Sequence, residues 1–473
     1  MRTEWPDIWD YRGKRVHMIG IGGSSMSGLA MMLKENGFQI SGSDSLETYA
    51  TKHLRDIGIP VTIGHFAKNV HESDLVVFSA AILADNPERV ECEKLGIPQL
   101  ERGPLLGQLM EGYEPAIGVC GTHGKTTTTS MLAQILVSCG TDPTIHIGGN
   151  LDFIGGNTRI GQGKAFLAEA CEYNASFLYM HPTAAVILNI DEDHLDFYKD
   201  IDDIQNSFSK FLHLIPDNGI AVGNGDDPRV VQIFDTLNCK KALFGIGEHC
   251  EFTARNSKEY HYGCMSFDFC RNASVLGHVE LTVPGTFQQI NALAALTMAY
   301  MQNIDMKDAC EALHHFSGAH RRFELTSEIN GVKLYHDYGH NPREMSSAIS
   351  IAVKQPHNRV WAVMQPHTYS RVKTLFNEYL TCTQAADITL VTDIYAAREK
   401  DPGDIKTEML IEGMREHGIN AIHTPTFNDT ERYLRENWQP GDIVLTMGCG
   451  NINQLNDQIW QNELILHPEK GRG

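Results

Sequence analysis

The sequence predicts an α/β protein of three domains, in which the two outer domains are doubly wound sheets. The chain has 473 residues, and at about 150 residues per domain this length corresponds to three domains. Short apolar runs typical of buried strands alternate with helical patterns near both ends of the chain. In addition, two glycine-rich loops each follow such a strand and precede a helix, as in the nucleotide-binding sites of α/β proteins.

The first glycine loop lies in a predicted N-terminal domain of residues 1–113. A strand over Val16–Ile19 enters the loop, a helix of small residues follows, and a second strand from Gln39 ends near Asp44. The loop resembles the dinucleotide fingerprint, with Ser25 at the third glycine position. Backbone N–H groups at such a helix start bind a diphosphate, and the aspartate lies at a distance suited to a ribose hydroxyl. The alternative is a tight strand–helix turn without a ligand.

The second loop opens a predicted central domain of residues 114–322. A strand, AIGVC, leads into GTHGKTTTTS, and the apolar helix MLAQILV follows. This is the context that a phosphate-binding loop requires, although Val119 stands where the standard pattern has its first glycine. Lys125 would bridge the β- and γ-phosphates of a nucleotide, and the Thr126 hydroxyl would bind Mg²⁺. The alternative is a chance GKT in a polar turn.

Acidic residues follow two further strands of the central domain, at places where ligand sites form on parallel sheets. Mg²⁺ requires hard oxygen ligands, which carboxylates provide. The candidates are Glu169, Glu172, Asp191, Glu192, Asp193 and His194. Periodicity does not choose among them, and a solvated acidic loop is the alternative for the second group. The two glycine loops lie about a hundred residues apart, which predicts two nucleotides, or one nucleotide and one nucleotide-linked substrate.

The rest of the chain supplies an antiparallel patch and a third domain. Short β-like runs between residues 240 and 285 predict antiparallel strands before the helix NALAALTMAYM. Over residues 323–473, strands and helices alternate again, which predicts a second doubly wound sheet. Its predicted strands are VKLYHDY, RVWAVMQ, ITLVTDIY and DIVLTMG, with helices from Pro342, from Ser370, near Met409 and at the end of the chain.

The composition excludes several classes of partner. The formal charge of -20 disfavours nucleic acid, because backbone phosphates would be repelled. No run reaches the roughly 18 apolar residues of a membrane span, and the N-terminus lacks the apolar core of a secretory signal. The cysteines form no CxxC pair, which is typical of free thiols in a reducing compartment. We therefore expect a cytosolic protein that binds neither nucleic acid nor membranes.

Seven motifs resemble those of the Mur ligases and occur in the same order. They are GIGGSSMSG, GTHGKTTTT, EACEYNASF, NIDEDHLDFY, HDYGHNP, QPHTYSR and TDIYAAREKDPG. The Mur ligases are ATP-dependent amide-forming enzymes of bacterial cell-wall synthesis, and the resemblance covers nearly the whole chain. It implies a Rossmann-like N-terminal domain that holds a UDP-sugar, a central P-loop ATPase domain, and a C-terminal Rossmann-like domain that closes over both.

Two of these motifs, QPHTYSR and DIYAARE, point to the branch of the family that adds alanine. The implied reactants are UDP-N-acetylmuramate, L-alanine and ATP with Mg²⁺, bound by a monomer or homodimer. The γ-phosphoryl group would pass to the sugar carboxylate, and the alanine amine would then attack the acyl phosphate. The alternatives are a muropeptide-recycling ligase or a folyl-polyglutamate synthetase, a non-catalytic sensor of UDP-sugars and ATP, and a dehydrogenase that binds NAD(P) at the first loop.

The resemblance also implies roles for individual residues. The UDP-sugar would contact Gly20, Gly22, Gly23, Ser24, Ser25, Met26, Ser27 and Asp44. ATP would contact Gly121, Thr122, His123, Gly124, Lys125, Thr126, Thr127, Asn291 and Arg322. Thr126, Glu169 and His194 would be metal ligands, with positioning of the nucleophile as the alternative role of the histidine. The catalytic residues would be Lys125, His194, Asp337, His340 and Arg371, of which the last three come from the C-terminal domain.

The sequence departs from the family pattern at several of these motifs. The substituted positions are Ser25 for a glycine, Cys171 for an acidic residue, Phe287 and Gln288 for a His-Asn pair, Asn341 for a histidine and Thr368 for an arginine. Some members of the family carry a carbamylated lysine near the metals. Lys210 lies close to the metal motifs in sequence, but we do not assign it that role.

Overall fold

The computed structural model describes residues 5–194, 197–397 and 399–467. Leu195, Asp196 and Arg398, which fall within quoted motifs, lie outside the described residues, as does the basic tail from residue 468. The chain divides into two compact units, of which the first comprises residues 1–257, 267–280 and 289–316, and the second comprises residues 258–266, 281–288 and 317–473. The predicted domain boundaries at residues 113 and 322 stay predictions.

The N-terminal part of the first unit is a five-stranded parallel sheet with the order β3-β2-β1-β4-β5. Its elements are β1 Arg15–Ile19, α1 Ser24–Glu35, β2 Gln39–Asp44, α2 Tyr49–Asp56, β3 Val61–Ile63, β4 Leu75–Phe78, α3 Pro87–Leu95, β5 Gln99–Glu101 and α4 Arg102–Met110. Strands β1 and β4 are buried almost throughout, as expected for apolar runs covered by helices on both faces. The strand order reverses between β1 and β4, so the first glycine loop lies at the switch point where ligands bind in such sheets. The predicted doubly wound sheet is confirmed.

A ten-stranded sheet follows, with the order β15-β14-β13-β12-β11-β10-β6-β9-β7-β8. Its strands are β6 Ala116–Cys120, β7 Thr144–Leu151, β8 Gly156–Arg159, β9 Phe166–Glu169, β10 Ala184–Ile187, β11 Ile220–Asn224, β12 Lys240–Gly245, β13 Phe252–Tyr260, β14 Cys264–Arg271 and β15 Ser274–Pro284. The helices are α5 Lys125–Ser138, α6 Ile201–Leu212, α7 Pro228–Phe234, α8 Gln288–Met301 and α9 Met306–His314. From β12 to β7 all neighbours are parallel, whereas β7 and β8 form an antiparallel hairpin.

One sequence-based expectation about this sheet was wrong. The run ALFGI was assigned to an antiparallel patch over residues 240–285, but β12 pairs in parallel with both β11 and β13. The β12–β13 pairing covers only two residue pairs, Phe244 with Phe252 and Gly245 with Thr253. The start of β13 therefore lies beside the end of β12, and the chain continues in the same direction. The β-like composition of the run does not reveal this direction.

The second unit contains a six-stranded sheet with the order β16-β17-β21-β18-β19-β20. Its strands are β16 Glu324–Ile329, β17 Val332–Asp337, β18 Val360–Met364, β19 Ile388–Val391, β20 Ala421–His423 and β21 Ile443–Met447. Its helices are α10 Pro342–Ala352, α11 Tyr369–Thr374, α12 Phe376–Tyr379, α13 Thr407–Glu416, α14 Phe427–Asn437 and α15 Asn453–Leu466. All neighbours are parallel except the edge strand β16, which is antiparallel to β17. The predicted alternation of strands and helices is confirmed.

Short 3-10 segments complete the described structure at Ile8–Tyr11, Ala67–Val70, Asp152–Ile154, Tyr173–Tyr179 and His261–Gly263. Within the residues that the structure describes, none of the helices combines the length and the apolar character needed to cross a membrane.

Candidate active site

The loop between β6 and α5 is shaped by glycines and held by one asparagine. Gly124 immediately precedes α5 with φ of 86°, and a Cβ there would lie 2.6 Å from the Asn291 side-chain oxygen. Both the left-handed backbone and the close approach require glycine at this position. The side chain of Asn189, which lies beyond the end of β10, accepts a hydrogen bond from His123 N at 2.8 Å and donates one to His123 O at 3.0 Å. The loop is therefore fixed before any phosphate binds.

Lys125 is the first residue of α5, and its ammonium group is fully engaged. Nζ donates to Gly121 O at 2.6 Å, to Thr122 O at 3.0 Å and to Glu172 Oε1 at 2.8 Å. The Glu172 side chain is buried, with 3% of the residue exposed. Burial by itself would lower the pKa of Lys125, but the charge and hydrogen bond of Glu172 together with the nearby Cys171 and Glu169 raise this pKa. The lysine is thus held as a cation.

Carboxylates and a hydroxyl converge beside this lysine. Thr126 Oγ1 donates to Glu169 Oε2 at 3.2 Å, and Glu169 Oε1 accepts from Gly148 N at 2.8 Å. Glu172 Oε2 is buried and has no hydrogen-bond partner in the part of the chain that the structure describes. His194 Nε2 lies 3.7 Å from Glu172 Oε1. A hydroxyl, two carboxylates and an imidazole in one place suit Mg²⁺, which prefers oxygen ligands, and the buried carboxylate oxygen offers an unused acceptor.

The other predicted ATP ligands of the first unit support the loop. Asn291 lies inside α8. Its Oδ1 accepts a hydrogen bond from Thr128 Oγ1 at 3.3 Å, so the side chain stabilises the start of α5. Thr127 lies in the first turn of α5 and is buried. The Thr122 hydroxyl donates to Asp191 O at 3.2 Å and accepts from Asp191 N at 2.9 Å. The acidic stretch after β10 is therefore attached to the phosphate loop by its backbone.

The first glycine loop leaves the N–H groups of the first turn of α1 as its donors, because Gly20 N and Ile21 N donate to Ser43 O and Gly23 N donates to Gly20 O. Gly22 N donates to Asp44 Oδ2 at 2.9 Å, which places the predicted ribose ligand directly beside the loop. Helix α1 begins at Ser24. Met26 and Ser27, which were predicted to contact the UDP-sugar, are buried along α1, and the methionine belongs to the hydrophobic core. Neither side chain is therefore exposed to a ligand, and Ser27 N donates to Gly23 O at 2.9 Å within the helix.

The two glycine loops are linked through Gly148, which lies on the β7–β8 hairpin, and through Glu169, which accepts the Thr126 hydroxyl. Ser24 Oγ donates to Gly148 O at 2.8 Å, while Gly148 N donates to Glu169 Oε1. Ser25 Oγ and His146 Nε2, 2.8 Å apart, form a second link to the same hairpin. A Cβ at Gly28 would overlap the Thr158 hydroxyl, so α1 approaches the hairpin at a distance that only glycine permits. The sequence analysis did not identify this hairpin, although the alternation of polar and apolar residues over residues 144–147 was an available signal.

In the second unit, Asp337 closes β17 and accepts two backbone hydrogen bonds. Oδ2 accepts from Phe323 N at 2.9 Å and Oδ1 accepts from Gly339 N at 2.7 Å. Burial raises the pKa of this carboxyl, and the nearby Arg322 opposes the shift. The Arg322 guanidinium lies 5.1 Å from the centre of the Tyr338 ring. Two of the predicted residues, the aspartate and the arginine, are therefore electrostatic neighbours.

The remaining predicted residues, His340 and Arg371, gather around a histidine that the sequence analysis did not single out. The ring centres of His340 and His367 are 6.2 Å apart, and Arg371 Nη1 lies 3.2 Å from His367 Nδ1. Burial, reinforced by the Arg371 charge, lowers the pKa of His367 to about 4. Its place in the motif QPHTYSR was the signal from which the sequence analysis could have identified this histidine.

Two departures from the family pattern have local structural explanations. Asn341 is the N-cap of α10, and its side chain accepts from Glu344 N at 2.9 Å in a capping box, so asparagine suits the position. Thr368 donates through Oγ1 to Glu399 Oε1 at 2.6 Å, and Ser370 N donates to the second oxygen of the same carboxylate at 2.9 Å. Glu399 thereby ties the TDIYAAREKDPG segment to the start of α11.

Three family models match the chain in succession. The Mur ligase family catalytic domain matches residues 15–114, the Mur ligase middle domain matches residues 119–299, and the Mur ligase glutamate ligase domain matches residues 321–450. A protein from Clostridium botulinum (strain Langeland) is 44% identical over 94% of this chain and 97% of that protein. The chain belongs to the Mur ligase family. This confirms the resemblance drawn from the motifs, and it makes the chain a member of a family of ATP-dependent ligases.

The names of the similar proteins agree with one another. The protein from C. botulinum and one from Acetivibrio thermocellus are both UDP-N-acetylmuramate–L-alanine ligases, and the latter is 43% identical over 96% of this Mur ligase and 97% of its own length. The crystal structure of a UDP-N-acetylmuramate–alanine ligase from Thermotoga maritima has a TM-score of 0.82 and 25% identity, covering 95% of this chain and 99% of that one. A murein peptide ligase from Psychrobacter arcticus, at 22% identity and a TM-score of 0.73, shares the fold.

Proposed function

We propose that this Mur ligase joins L-alanine to UDP-N-acetylmuramate, with ATP cleaved to ADP and phosphate. The observation that supports this most directly is the bridge at Gly148, where a loop suited to a sugar diphosphate adjoins a loop suited to ATP. The names of the relatives from C. botulinum and A. thermocellus support the choice of substrates. A monomer or homodimer and a cytosolic location stay predictions.

The chemical need for ATP follows from the leaving group. A carboxylate does not react with an amine at a useful rate, because an oxygen of the carboxylate would have to leave as hydroxide or oxide. Transfer of the γ-phosphoryl group to that oxygen makes an acyl phosphate, and phosphate then leaves when the amine of alanine attacks. The reaction therefore requires a site that stabilises charge on a transferring phosphoryl group and keeps water from the acyl phosphate.

Lys125 is proposed to stabilise that charge. Its three hydrogen bonds go to two loop carbonyls and to Glu172, so a γ-phosphate oxygen can replace one of the carbonyl acceptors. The ion pair with Glu172 keeps the ammonium protonated throughout. Backbone N–H groups at the start of α5 bind the remaining phosphate oxygens, aided by the helix dipole.

Thr126, Glu169 and His194 are proposed to hold Mg²⁺, and Glu172 Oε2 is available as a further oxygen ligand. When bound, Mg²⁺ neutralises the phosphate charge that develops during transfer. The position of Glu169 is set by Gly148 N, whose residue also receives the Ser24 hydroxyl. A shift of the first loop is thereby passed to the metal ligand through two hydrogen bonds.

Four residues of the second unit are also proposed to take part in the reaction. Arg322 would contact the phosphates of ATP, and Asp337, His340 and Arg371 would orient the substrates. The support from this unit is the grouping of these side chains at the carboxyl ends of β17 and β18, the edge at which parallel sheets bind ligands. The family pattern of the motifs HDYGHNP and QPHTYSR also supports these roles.

Isotope labelling tests the proposed reaction. UDP-N-acetylmuramate with heavy oxygen in its lactyl carboxylate should yield labelled inorganic phosphate when ATP and L-alanine are supplied, with ADP as the coproduct. Labelled phosphate requires that the carboxylate oxygen accepted the phosphoryl group. Unlabelled phosphate would indicate plain ATP hydrolysis, and AMP with pyrophosphate would indicate an adenylate route, so either result refutes the proposal.

A substrate panel tests the choice of amino acid. ATP turnover with UDP-N-acetylmuramate should be fastest with L-alanine, compared with glycine, L-serine and a short peptide. A preference for the peptide would identify a recycling ligase. Absence of turnover with every amine, combined with binding of both nucleotides, would identify a sensor.

A further inference from the structure

A second cluster of metal-binding side chains lies on the central sheet, away from the phosphate loop. Strands β11 and β12 are parallel neighbours, so the loops that follow them meet at one edge. Asp226 lies in the loop after β11, and His249 and Cys250 lie in the loop after β12. In the strand order, β10 separates β11 from β6, so the cluster is at least two strand spacings, or about 10 Å, from the strand that bears the phosphate loop.

The donor atoms are close enough to share one ion. Cys250 Sγ lies 3.8 Å from Asp226 Oδ1. One ligand atom from each of the three residues falls within 4.8 Å of the others. In a tetrahedral Zn²⁺ site with bonds of about 2.0–2.3 Å, ligand atoms are separated by about 3.3–3.8 Å. Small side-chain rotations therefore suffice to bring the three donors onto one ion.

Backbone hydrogen bonds already orient two of the donors. Asp226 accepts from Ile246 N at 2.7 Å and from Gly247 N at 2.9 Å, which aims its carboxylate at the second loop. His249 Nε2 lies 2.7 Å from Gly225 O. A neutral imidazole that donates through Nε2 to a carbonyl keeps the lone pair of Nδ1 for a metal. Such outer contacts are typical of metal-binding histidines.

Three glycines leave room for this arrangement. A Cβ at residue 245 would lie 2.5 Å from Asp226 Oδ2 and 2.7 Å from Cys250 Sγ. A Cβ at residue 247 would lie 2.7 Å from Asp226 Oδ1 and 2.8 Å from His249 Nδ1, and one at residue 225 would lie 2.7 Å from the sulfur. The donors thus occupy space that any other residue at these three positions would fill. If Asp226 served only to hold the two loops together, no such space would be needed around Cys250 and His249.

We propose that Asp226, His249 and Cys250 bind one Zn²⁺ or a similar borderline divalent ion, separately from the Mg²⁺ of the phosphate loop. One oxygen, one nitrogen and one sulfur donor select such an ion over Mg²⁺, since thiolate does not suit the harder cation. The side chain of His249 is 60% exposed, so water has access to the fourth coordination position.

Cobalt titration of the full-length chain in excess Mg²⁺ tests the site. Co²⁺ should bind with a stoichiometry of one per chain and give a thiolate-to-cobalt charge-transfer band, which Zn²⁺ then removes by displacement. Cys250→Ser should abolish the band and weaken Zn²⁺ binding by at least about tenfold. Cys171→Ser is the matched control, because this thiol lies in the motif beside the phosphate loop, and its loss should leave the band unchanged.

A second variant guards against a folding defect at the buried cysteine. The His249 side chain is exposed, so His249→Ala should fold normally and still weaken Co²⁺ binding by at least about tenfold, whereas His213→Ala, at the end of α6, should not. Three results would each overturn the proposal. These are the absence of a thiolate band in the unmodified chain, a band that persists in Cys250→Ser, and a band that is lost in Cys171→Ser.

Discussion

The loop between β1 and α1 and the loop between β6 and α5 each leave the carboxyl end of a buried parallel strand and open a helix. Residues 20–28 of the first loop include no charged side chain, and the adjacent Asp44 accepts a hydrogen bond from the loop backbone. In the second loop, Lys125 opens the helix and is paired with the buried Glu172. The first loop therefore leaves the N–H groups of the first turn of α1 as donors, whereas the second adds a cation that is paired with a buried carboxylate.

This difference separates binding from chemistry. A diphosphate that stays intact needs only N–H groups and a helix start, because its charge does not move during the reaction. A phosphoryl group in transfer needs charges already in place where new charge develops. The bridge at Gly148 links Ser24 of the first loop to Glu169, which also accepts a hydrogen bond from the Thr126 hydroxyl of the second loop.

The largest effect is expected from Lys125→Ala, which removes the cation of the second loop. Turnover should fall by about a thousandfold or more, because such a contact contributes several kcal/mol at the transferred phosphoryl group. Phosphate release with all three substrates present is the measurement. Lys199→Ala, whose side chain is 87% exposed, serves as the control and should retain full turnover.

A folding defect in Lys125→Ala can be separated from the catalytic one. The substitution leaves Glu172 buried and unpaired, which costs about 3–5 kcal/mol. The double variant Lys125→Ala/Glu172→Gln removes that charge and should regain thermal stability without regaining turnover. Near-normal turnover in this folded variant would contradict the role of the lysine.

The next largest effect concerns Glu169 and His194, the proposed metal ligands beside the second loop. Glu169→Gln and His194→Ala should each raise the Mg²⁺ concentration for half-maximal turnover by at least about tenfold, since even outer-shell partners of metal ligands contribute about 10–100-fold to affinity. A magnesium titration of turnover measures this. Glu192→Gln, an exposed acid in the same motif, should leave the titration unchanged. An unaltered curve for Glu169→Gln or His194→Ala would remove that residue from the ligand set.

A smaller effect, on binding alone, is expected at the first loop. Asp44→Ala removes the acceptor for Gly22 N and for Leu46 N, and should raise the KM for UDP-N-acetylmuramate about tenfold while kcat stays within about twofold. Steady-state kinetics with saturating ATP and L-alanine give both values. Asp56→Ala, an exposed change at the end of α2, is the control. A fall in kcat without a rise in KM would show that the two loops do not divide binding from chemistry.

The last effect, on stability and not on activity, concerns the attachment of α1 to the central sheet. Burial, aided by the Arg102 charge, lowers the pKa of His146 from 6.5 to about 3, so the folded chain holds it neutral while the unfolded chain takes up a proton. The stability that this histidine contributes is therefore present above pH 6.5 and is lost as the pH falls toward 3. Between pH 7 and pH 5 this amounts to about 2 kcal/mol in the free energy of unfolding.

His146→Gln should accordingly flatten the decline in the urea midpoint between pH 7 and pH 5. His213→Gln, at the exposed end of α6, should show the decline of the unmodified chain. If the urea midpoint declined equally in both variants, His146, which lies between Ser25 and Thr158, would not be the cause of the loss of stability at low pH.

The elements that were predicted correctly are those with a local signal in the sequence. The strand at Val16–Ile19, the helix after the GKT run and the alternation of the third domain were all predicted, because period and composition act within a few residues. Period and composition did not indicate which role each acidic residue of the central domain takes. Glu169 and Glu172 are three residues apart in one motif, yet the first receives the Thr126 hydroxyl and the second pairs with Lys125.

The sequence by itself determined the family, the two glycine loops and the residue types that reach them. The tertiary structure decided that β12 lies in the parallel part of the sheet, that Gly148 joins the two loops, and that His367 lies beside Arg371. Each of these contacts joins segments from different strands or loops. The order of strands in a sheet is set by packing among distant segments, and no periodicity within one segment encodes it.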